Sequence, residues 1–307
     1  MDYGLAFFVY RRPVHTKKVL DSIKRNGFKK IYVFHDKVKN ETALKDWKKV
    51  EEIIKKIDFA DVEYHQSPTN KGLANSIVDG INYVLSKHDA VIALEDDVVL
   101  ADGYKTYVEE CMEKYINNGK VMSFCGGGVT DQIVDTVDIK DDVYFSYNPS
   151  SFAWGTWKDR WQLYRRDNDY LNSFLTDETR VEHVSKLAGN DLIQMATIVK
   201  NSPEKIDTWA TFWGLIQAEN DGVCVTPVKA LAKGIGLDGS GTNCGNVAKL
   251  FELKLSTKIE GFKLPDDVVD NEYLNERVRI VANSSRYYAR CVKLFVAYCK
   301  HKLGVRI

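Results

Sequence analysis

Two hydrophobic periods alternate along the first third of the chain. Short apolar runs over 3–10, 30–34, 62–65 and 90–94 read as strands. The first and last of these are apolar on both faces, as in a sheet covered by helices on each side. Between them the spacing predicts helices over 14–26, about 43–57, and from the polar loop 67–76 to about 87. Pro13 suits the start of the first helix and Gly27 its stop. This alternation predicts a mostly parallel sheet with helices on both faces, and a nucleotide-binding α/β half over about 1–125.

A helix over 104–117 and a strand over 121–124 continue the pattern, and Gly126-Gly127-Gly128 breaks it. Beyond it the pattern predicts a strand over 143–147, helices over 192–200 and 208–220, and a short strand over 223–225. The stretch 235–245 is too rich in glycine for regular structure. It reads as a lid, a ligand clamp or an ordinary exposed loop. Residues 151–157 are unusually aromatic, either a core under a long loop or a platform for a sugar ring.

Composition narrows the class. In 307 residues, 44% apolar, Lys plus Arg equal Asp plus Glu at 43 each, which excludes a general nucleic-acid binder. The six cysteines contain no Cys-x-x-Cys spacing, so reduced thiols are expected. The apolar run near the N-terminus is too short to span a membrane and lacks a signal-peptide pattern, so a cytoplasmic location is expected. Residues 281–307 hold six Lys or Arg and no Asp or Glu. A basic amphipathic helix there either lies on an anionic membrane surface, at its inner face, or packs on the protein with a solvated edge.

The candidate chemistry centres on Glu95-Asp96-Asp97, three adjacent carboxylates at the end of an apolar strand. They repel one another and lose solvation there, and a hard divalent cation relieves both costs. Ligands bind at the carboxyl ends of strands in open α/β sheets. The alternative is an acidic turn in which Asp96 or Asp97 caps the next helix. Asn70-Lys71-Gly72 opens a helix whose free N–H groups suit an anion. Asp207, at the start of a later helix, is either a functional carboxylate or an N-cap.

Phe8-Val9-Tyr10-Arg11-Arg12-Pro13 with Thr16, Asn70-Lys71-Gly72-Leu73 with Ser76-Ile77, and Leu94-Glu95-Asp96-Asp97 together resemble the GT-A-fold glycosyltransferases. The branch is the family-2-like sugar transferases of bacterial surface polysaccharide clusters, similar in turn to N-acetylglucosaminyltransferase I. Ala153-Trp154-Gly155, Asp207-Thr208-Trp209 and the 235–245 loop follow in that branch's order, so the resemblance covers about 4–245. It implies a Rossmann-like, mostly parallel sheet, an acceptor-binding and catalytic half over 126–245, and a helical C-terminal extension over 246–307.

The resemblance implies a metal-dependent, inverting transfer from a nucleotide-diphosphate-sugar to a hydroxyl of a glycan or lipid-linked glycan. Asp97 would ligate Mn²⁺ or Mg²⁺. Asp96 would meet the donor ribose or sugar, with Glu95 in support. Asp36 would meet the uracil or ribose, and Arg12 the base or diphosphate. Asn70 and Lys71 would line the nucleotide pocket, and Gly239 and Ser240 would close over the diphosphate. Asp207 would be the general base, and Trp154 and Trp209 a platform for acceptor or sugar. Asn243 stands where related loops carry a histidine, which removes that position as a histidine ligand. The competing classes are a nucleotidyltransferase, a non-catalytic carbohydrate-binding module and an inactive scaffold. The first usually carries a glycine-rich basic loop after the first strand, where this chain has Arg11-Arg12-Pro13.

Overall fold

Side chains along β1 (Tyr3–Val9) part to two sides: Leu5, Phe7 and Val9 join one hydrophobic core, Ala6 and Phe8 a second. That split, repeated in the neighbouring strands, gives a sheet buried on both faces. The computed structural model describes residues 1–128, 139–204, 206–236, 254–269 and 272–276. Residues 237–253, which include Gly239, Ser240 and Asn243 of the glycine-rich loop, and the basic segment 281–307 lie outside the described residues.

The alternation expected up to residue 94 is present: α1 (Pro13–Arg25), β2 (Lys30–His35), α2 (Leu44–Lys55), β3 (Asp61–Gln66), α3 (Leu73–Leu85) and β4 (Ala90–Glu95). Next come β5 (Val98–Leu100), α4 (Tyr104–Tyr115), β6 (Val121–Cys125), β7 (Val143–Ser146) and β8 (Trp154–Trp157). Five helices follow, α5 (Lys158–Trp161), α6 (Asn168–Thr176), α7 (Glu178–Ala188), α8 (Asn190–Asn201) and α9 (Ala210–Glu219), and then β9 (Val223–Pro227) and β10 (Ala232–Gly234).

The eight-stranded sheet has the order β3-β2-β1-β4-β8-β6-β9-β7. Six strands run the same way, and β8 and β7 run against them. The protein is therefore a mixed α/β fold with a mostly parallel sheet. Helices α1, α2 and α4 send Val19, Ile23, Val50, Ile54, Tyr104 and Tyr107 into the first core. Helix α3 sends Ala74, Ile77, Ile81 and Val84 into the second.

The 154–157 part of the aromatic segment is neither a loop nor a surface. It is β8, inserted between β4 and β6 in the middle of the sheet. Gly155 makes this possible, since a Cβ there would lie 2.4 Å from the Phe124 ring and 2.5 Å from the Val91 carbonyl. Trp154 and Trp209 stack on each other at 4.4 Å with planes 14° apart, and are 2% and 5% exposed. The ring platform expected at those two residues lies in the core instead, because each ring covers a face of the other.

Candidate functional site

Parallel register brings three strand ends level, with Phe8 beside Glu95 and Val9 beside His35. Their carboxyl ends therefore set Tyr10-Arg11-Arg12, His35-Asp36 and Glu95-Asp96-Asp97 side by side. Arg12 stands just before α1, where its carbonyl accepts hydrogen bonds from the Thr16 N–H and hydroxyl, both at 2.9 Å. That fixes the backbone and leaves the guanidinium free to reach across to the end of β4.

It reaches both aspartates. Arg12 Nη2 and Nε lie 2.5 and 3.1 Å from Asp96 Oδ1, and Nη1 lies 2.9 Å from Asp97 Oδ2. The other Asp96 oxygen accepts the Tyr10 N–H at 3.1 Å. Asp96 is 3% exposed, so its charge is held by this arginine and this amide and not by water. Burial holds the Asp96 carboxyl above its ordinary range, with Arg12 pulling against the shift. Burial works against the Arg12 charge, but Asp96 and Asp97 keep it above its ordinary range.

Glu95 differs. It makes no side-chain hydrogen bond to a described residue, and burial, then Asp97 and Asp96, raise its pKa to about 8. The triplet thus holds a bound acid, Asp96, an accessible one, Asp97, and an unpaired one, Glu95. Neither Asp96 nor Asp97 caps a helix: β5 follows them directly, and Ile235 N–H binds the Asp97 carbonyl at 2.7 Å. Strand β10 pairs with β5, which carries the start of the glycine-rich loop over the triplet. A Cβ at Gly236 would meet Asp97 Oδ2 at 2.1 Å and Arg12 Nη1 at 2.8 Å, so a side chain there would displace this pair.

Asp36 serves the next loop. One oxygen accepts the N–H groups of Lys37 and Lys71 at 2.9 and 2.8 Å; the other accepts Gly72 N–H and Asn70 Nδ2, each at 3.0 Å. Its carboxylate is thereby committed to shaping 70–72, and Lys71 turns its amino group to Asp79 at 2.6 Å. Gly72 takes φ +81°, a conformation glycine adopts without strain.

The shaped loop delivers the start of α3 to Asp207. Asp207 Oδ2 accepts the Ala74 N–H at 3.2 Å, and Oδ1 accepts Arg166 Nη2 at 3.0 Å. Asp207 therefore caps a helix, but it is α3, far away in sequence, and not the helix that follows it. Its side chain stays 41% exposed. Arg166 also donates to Asn75 Oδ1 at 2.6 Å and to the Thr208 carbonyl at 3.1 Å. Arg166 and Asn75 were not among the expected site residues. Their one advance signal is Asn75 lying in the first turn of α3, beside the Asn70-Lys71-Gly72 motif.

Among the described residues no three metal-ligating side chains converge. The donors that fit a divalent ion are the second oxygen of Asp97, which has no described partner, and the unpaired Glu95. Mg²⁺ and Mn²⁺ bind readily through one or two carboxylates when phosphate and water oxygens supply the rest. The residues suit an ion that enters with a diphosphate.

No protein-family profile and no curated protein matches the chain. Solved structures resemble it loosely. GalNAc-T7 with UDP, GalNAc and Mn²⁺ is 14% identical at TM-score 0.36, over 52% of this chain and 36% of that one. The mannosyltransferase PcManGT from Pyrobaculum calidifontis with GDP-Man and Mn²⁺ is 9% identical at TM-score 0.39, over 70% and 72%. Mouse xyloside xylosyltransferase 1 in its apo form is 14% identical at TM-score 0.33, over 66% and 83%. The chain spans about a third of the length of GalNAc-T7. Likeness this loose adds nothing to the reading of individual residues, which rests on the geometry above. No helix among the described residues is long and apolar enough to cross a membrane.

Proposed function

We propose that the chain is a GT-A-type glycosyltransferase that moves a sugar from a nucleotide-diphosphate-sugar, UDP-linked in our reading, to a hydroxyl of a glycan. One observation carries this reading. At the carboxyl ends of the parallel strands, an arginine-clamped acid pair lies at one edge of the site. A separate, solvent-open carboxylate, Asp207, is held at the start of α3 at the other.

The roles follow from the contacts. Arg12 bonds Asp96 and holds Asp97 in place, which sets a guanidinium beside the carboxylates. Asp97, with Glu95 beside it, would hold a divalent ion. Such an ion, when bound, stabilises the negative charge that grows on the leaving diphosphate. Gly236 gives the backbone room to close over the same place.

At the other edge Asp207 accepts the acceptor hydroxyl's proton as the oxygen attacks the anomeric carbon. A positioned base of this kind contributes typically ~10²–10⁴-fold. Arg166 and the Ala74 N–H fix the carboxylate's orientation and leave part of it open to solvent. One displacement on the face opposite the leaving group inverts the anomeric configuration.

Calorimetry with UDP, in the presence and absence of Mn²⁺, tests the donor half, and a panel of nucleotide-sugars scored for nucleotide release identifies the donor. Metal-dependent UDP binding is the expected result. No UDP binding with Mn²⁺ present overturns the proposal.

A further inference from the structure

A groove of about 590 Å³ runs along the outer side of α3, walled by that helix and by the chain from Lys158 to Arg166. Its volume falls within the ~300–1,000 Å³ of small-ligand sites. Arg166 and Asn75 line the groove, and Arg166 bonds both Asn75 and the candidate base Asp207.

Its lining has the chemistry of a sugar site. Tyr164, half-buried, supplies an aromatic surface, backed by Trp161 at 4.2 Å with the rings 9° from parallel. Trp161 Nε1 donates to Asn82 Oδ1 at 2.8 Å, which commits the amide oxygen and leaves the Asn82 NH₂ without a described partner. Gln162 and Lys158 are exposed, and their side chains have no described partner. Ring faces take the apolar face of a pyranose, while amides and cations take its hydroxyls.

The charge is one-sided. Lys158 and Arg166 are the lining cations and no carboxylate lines the groove; Arg166 is bonded to Asp207, so Lys158 is the lining cation without a described carboxylate partner. A neutral glycan gains nothing from that excess, whereas one with a negative group does.

We propose that this groove is the acceptor subsite. It takes an oligosaccharide bearing an anionic group, a uronate carboxylate or a phosphate, with the reacting hydroxyl at the Asp207 end and the anion toward Lys158. As an acceptor site it rests on the transferase reading; as a glycan site it stands on its own lining.

The experiment is calorimetric titration of the full chain, without nucleotide, with trigalacturonate, galactotriose and phosphorylated galactotriose. At least one anionic probe binds, and galactotriose binds roughly fivefold or more weakly, the effect of about one exposed ion pair. Lys158→Glu abolishes the difference between them, and Gln162→Ala weakens all that bind. Both residues are exposed and unpaired among the described residues, so the fold survives, as a melting curve verifies. A wild type that binds none of the three, that binds all equally, or whose preference survives Lys158→Glu overturns the proposal. The carboxylate and phosphate probes show which anion the groove takes. UDP with Mn²⁺, titrated into the same sample, reads the transferase proposal separately. Nucleotide binding without trisaccharide binding removes the groove alone, and the reverse removes the transferase and leaves a glycan site.

Discussion

Arg12 Nη2 lies 2.5 Å from Asp96 Oδ1, and this contact joins the end of β1 to the end of β4 across 84 residues of sequence. Only 4% of the Asp96 side chain is exposed. Arg12→Ala leaves that charge buried with the Tyr10 amide as its remaining described partner. Removing one member of a buried pair costs ~3–5 kcal/mol, reduced here because Arg12 itself is partly solvated. Arg12→Lys keeps the charge but cannot bond both aspartates through a planar fork, so it falls between Arg12→Ala and wild type. Urea denaturation of the two variants measures the order, and wild-type stability in Arg12→Ala would contradict it.

Asp97 answers to a different test. Its side chain is 23% exposed and shares Arg12 with a better-buried neighbour, so the fold does not depend on it. Asp97→Ala is expected to shift the melting temperature little and to abolish the Mn²⁺-dependent part of UDP binding. Differential scanning fluorimetry and calorimetry on one preparation separate the two effects. Unchanged metal-dependent binding would move the ligand elsewhere, to Glu95 first.

Much of this edge was legible in sequence because it depends on local pattern. Apolar runs marked β1 to β4, and three acids at the end of a run marked a strand terminus. What was not legible is long-range. Trp154-Gly155-Thr156-Trp157 is too short a run to mark a strand: it has four residues and a glycine, and Ala153 before it takes φ +46°. Only the Phe124 ring and the Val91 carbonyl pressing on Gly155 explain the choice. Helices α6 and α7 were missed because each buries just two residues, Leu171 and Phe174 in one, Val184 and Ala188 in the other, too few for a helical stripe. Asp36 was expected at a ligand, and its position at the end of β2 was readable. The four hydrogen bonds that its carboxylate accepts from 37 and 70–72 were not.

Asp207 carries two duties that one pair of substitutions can separate. Asparagine keeps an acceptor oxygen for the Ala74 N–H but cannot take a proton at neutral pH. Asp207→Asn should therefore bind UDP normally, melt near the wild-type temperature and transfer at least ~10²-fold more slowly. Gly72→Ala should lower stability as well as turnover. It forces a Cβ to 2.6 Å from Asp207 Oδ2 at a φ of +81°, which costs on the order of 1–3 kcal/mol and displaces the carboxylate. Unchanged turnover in Asp207→Asn would show that the base is another group.

The last prediction concerns acid. His35 is 1% exposed, stacked on Trp47 at 4.5 Å, with Nε2 2.7 Å from the Tyr10 carbonyl and Nδ1 2.7 Å from the Tyr64 hydroxyl. Neutral imidazole satisfies both contacts: Nε2–H donates to the carbonyl and Nδ1 accepts the Tyr64 O–H. A second ring proton would face that hydroxyl in a buried site, and burial lowers the His35 pKa to about 4 from 6.5. The unfolded chain therefore takes up this proton at a higher pH than the folded one does. Stability from the neutral ring is complete above about pH 6.5 and is lost as pH falls toward 4, by up to about 3 kcal/mol. Glu63, held down to about 2 chiefly by the Tyr83 hydroxyl, contributes in a lower window, below its ordinary 4.5. The two windows separate in urea titrations taken between pH 3 and 7. His35→Asn should be less stable at pH 7 and should flatten the slope between pH 4 and 6.5, leaving the fall below pH 4.5 in place. A slope that survives this substitution would assign the proton uptake to another group.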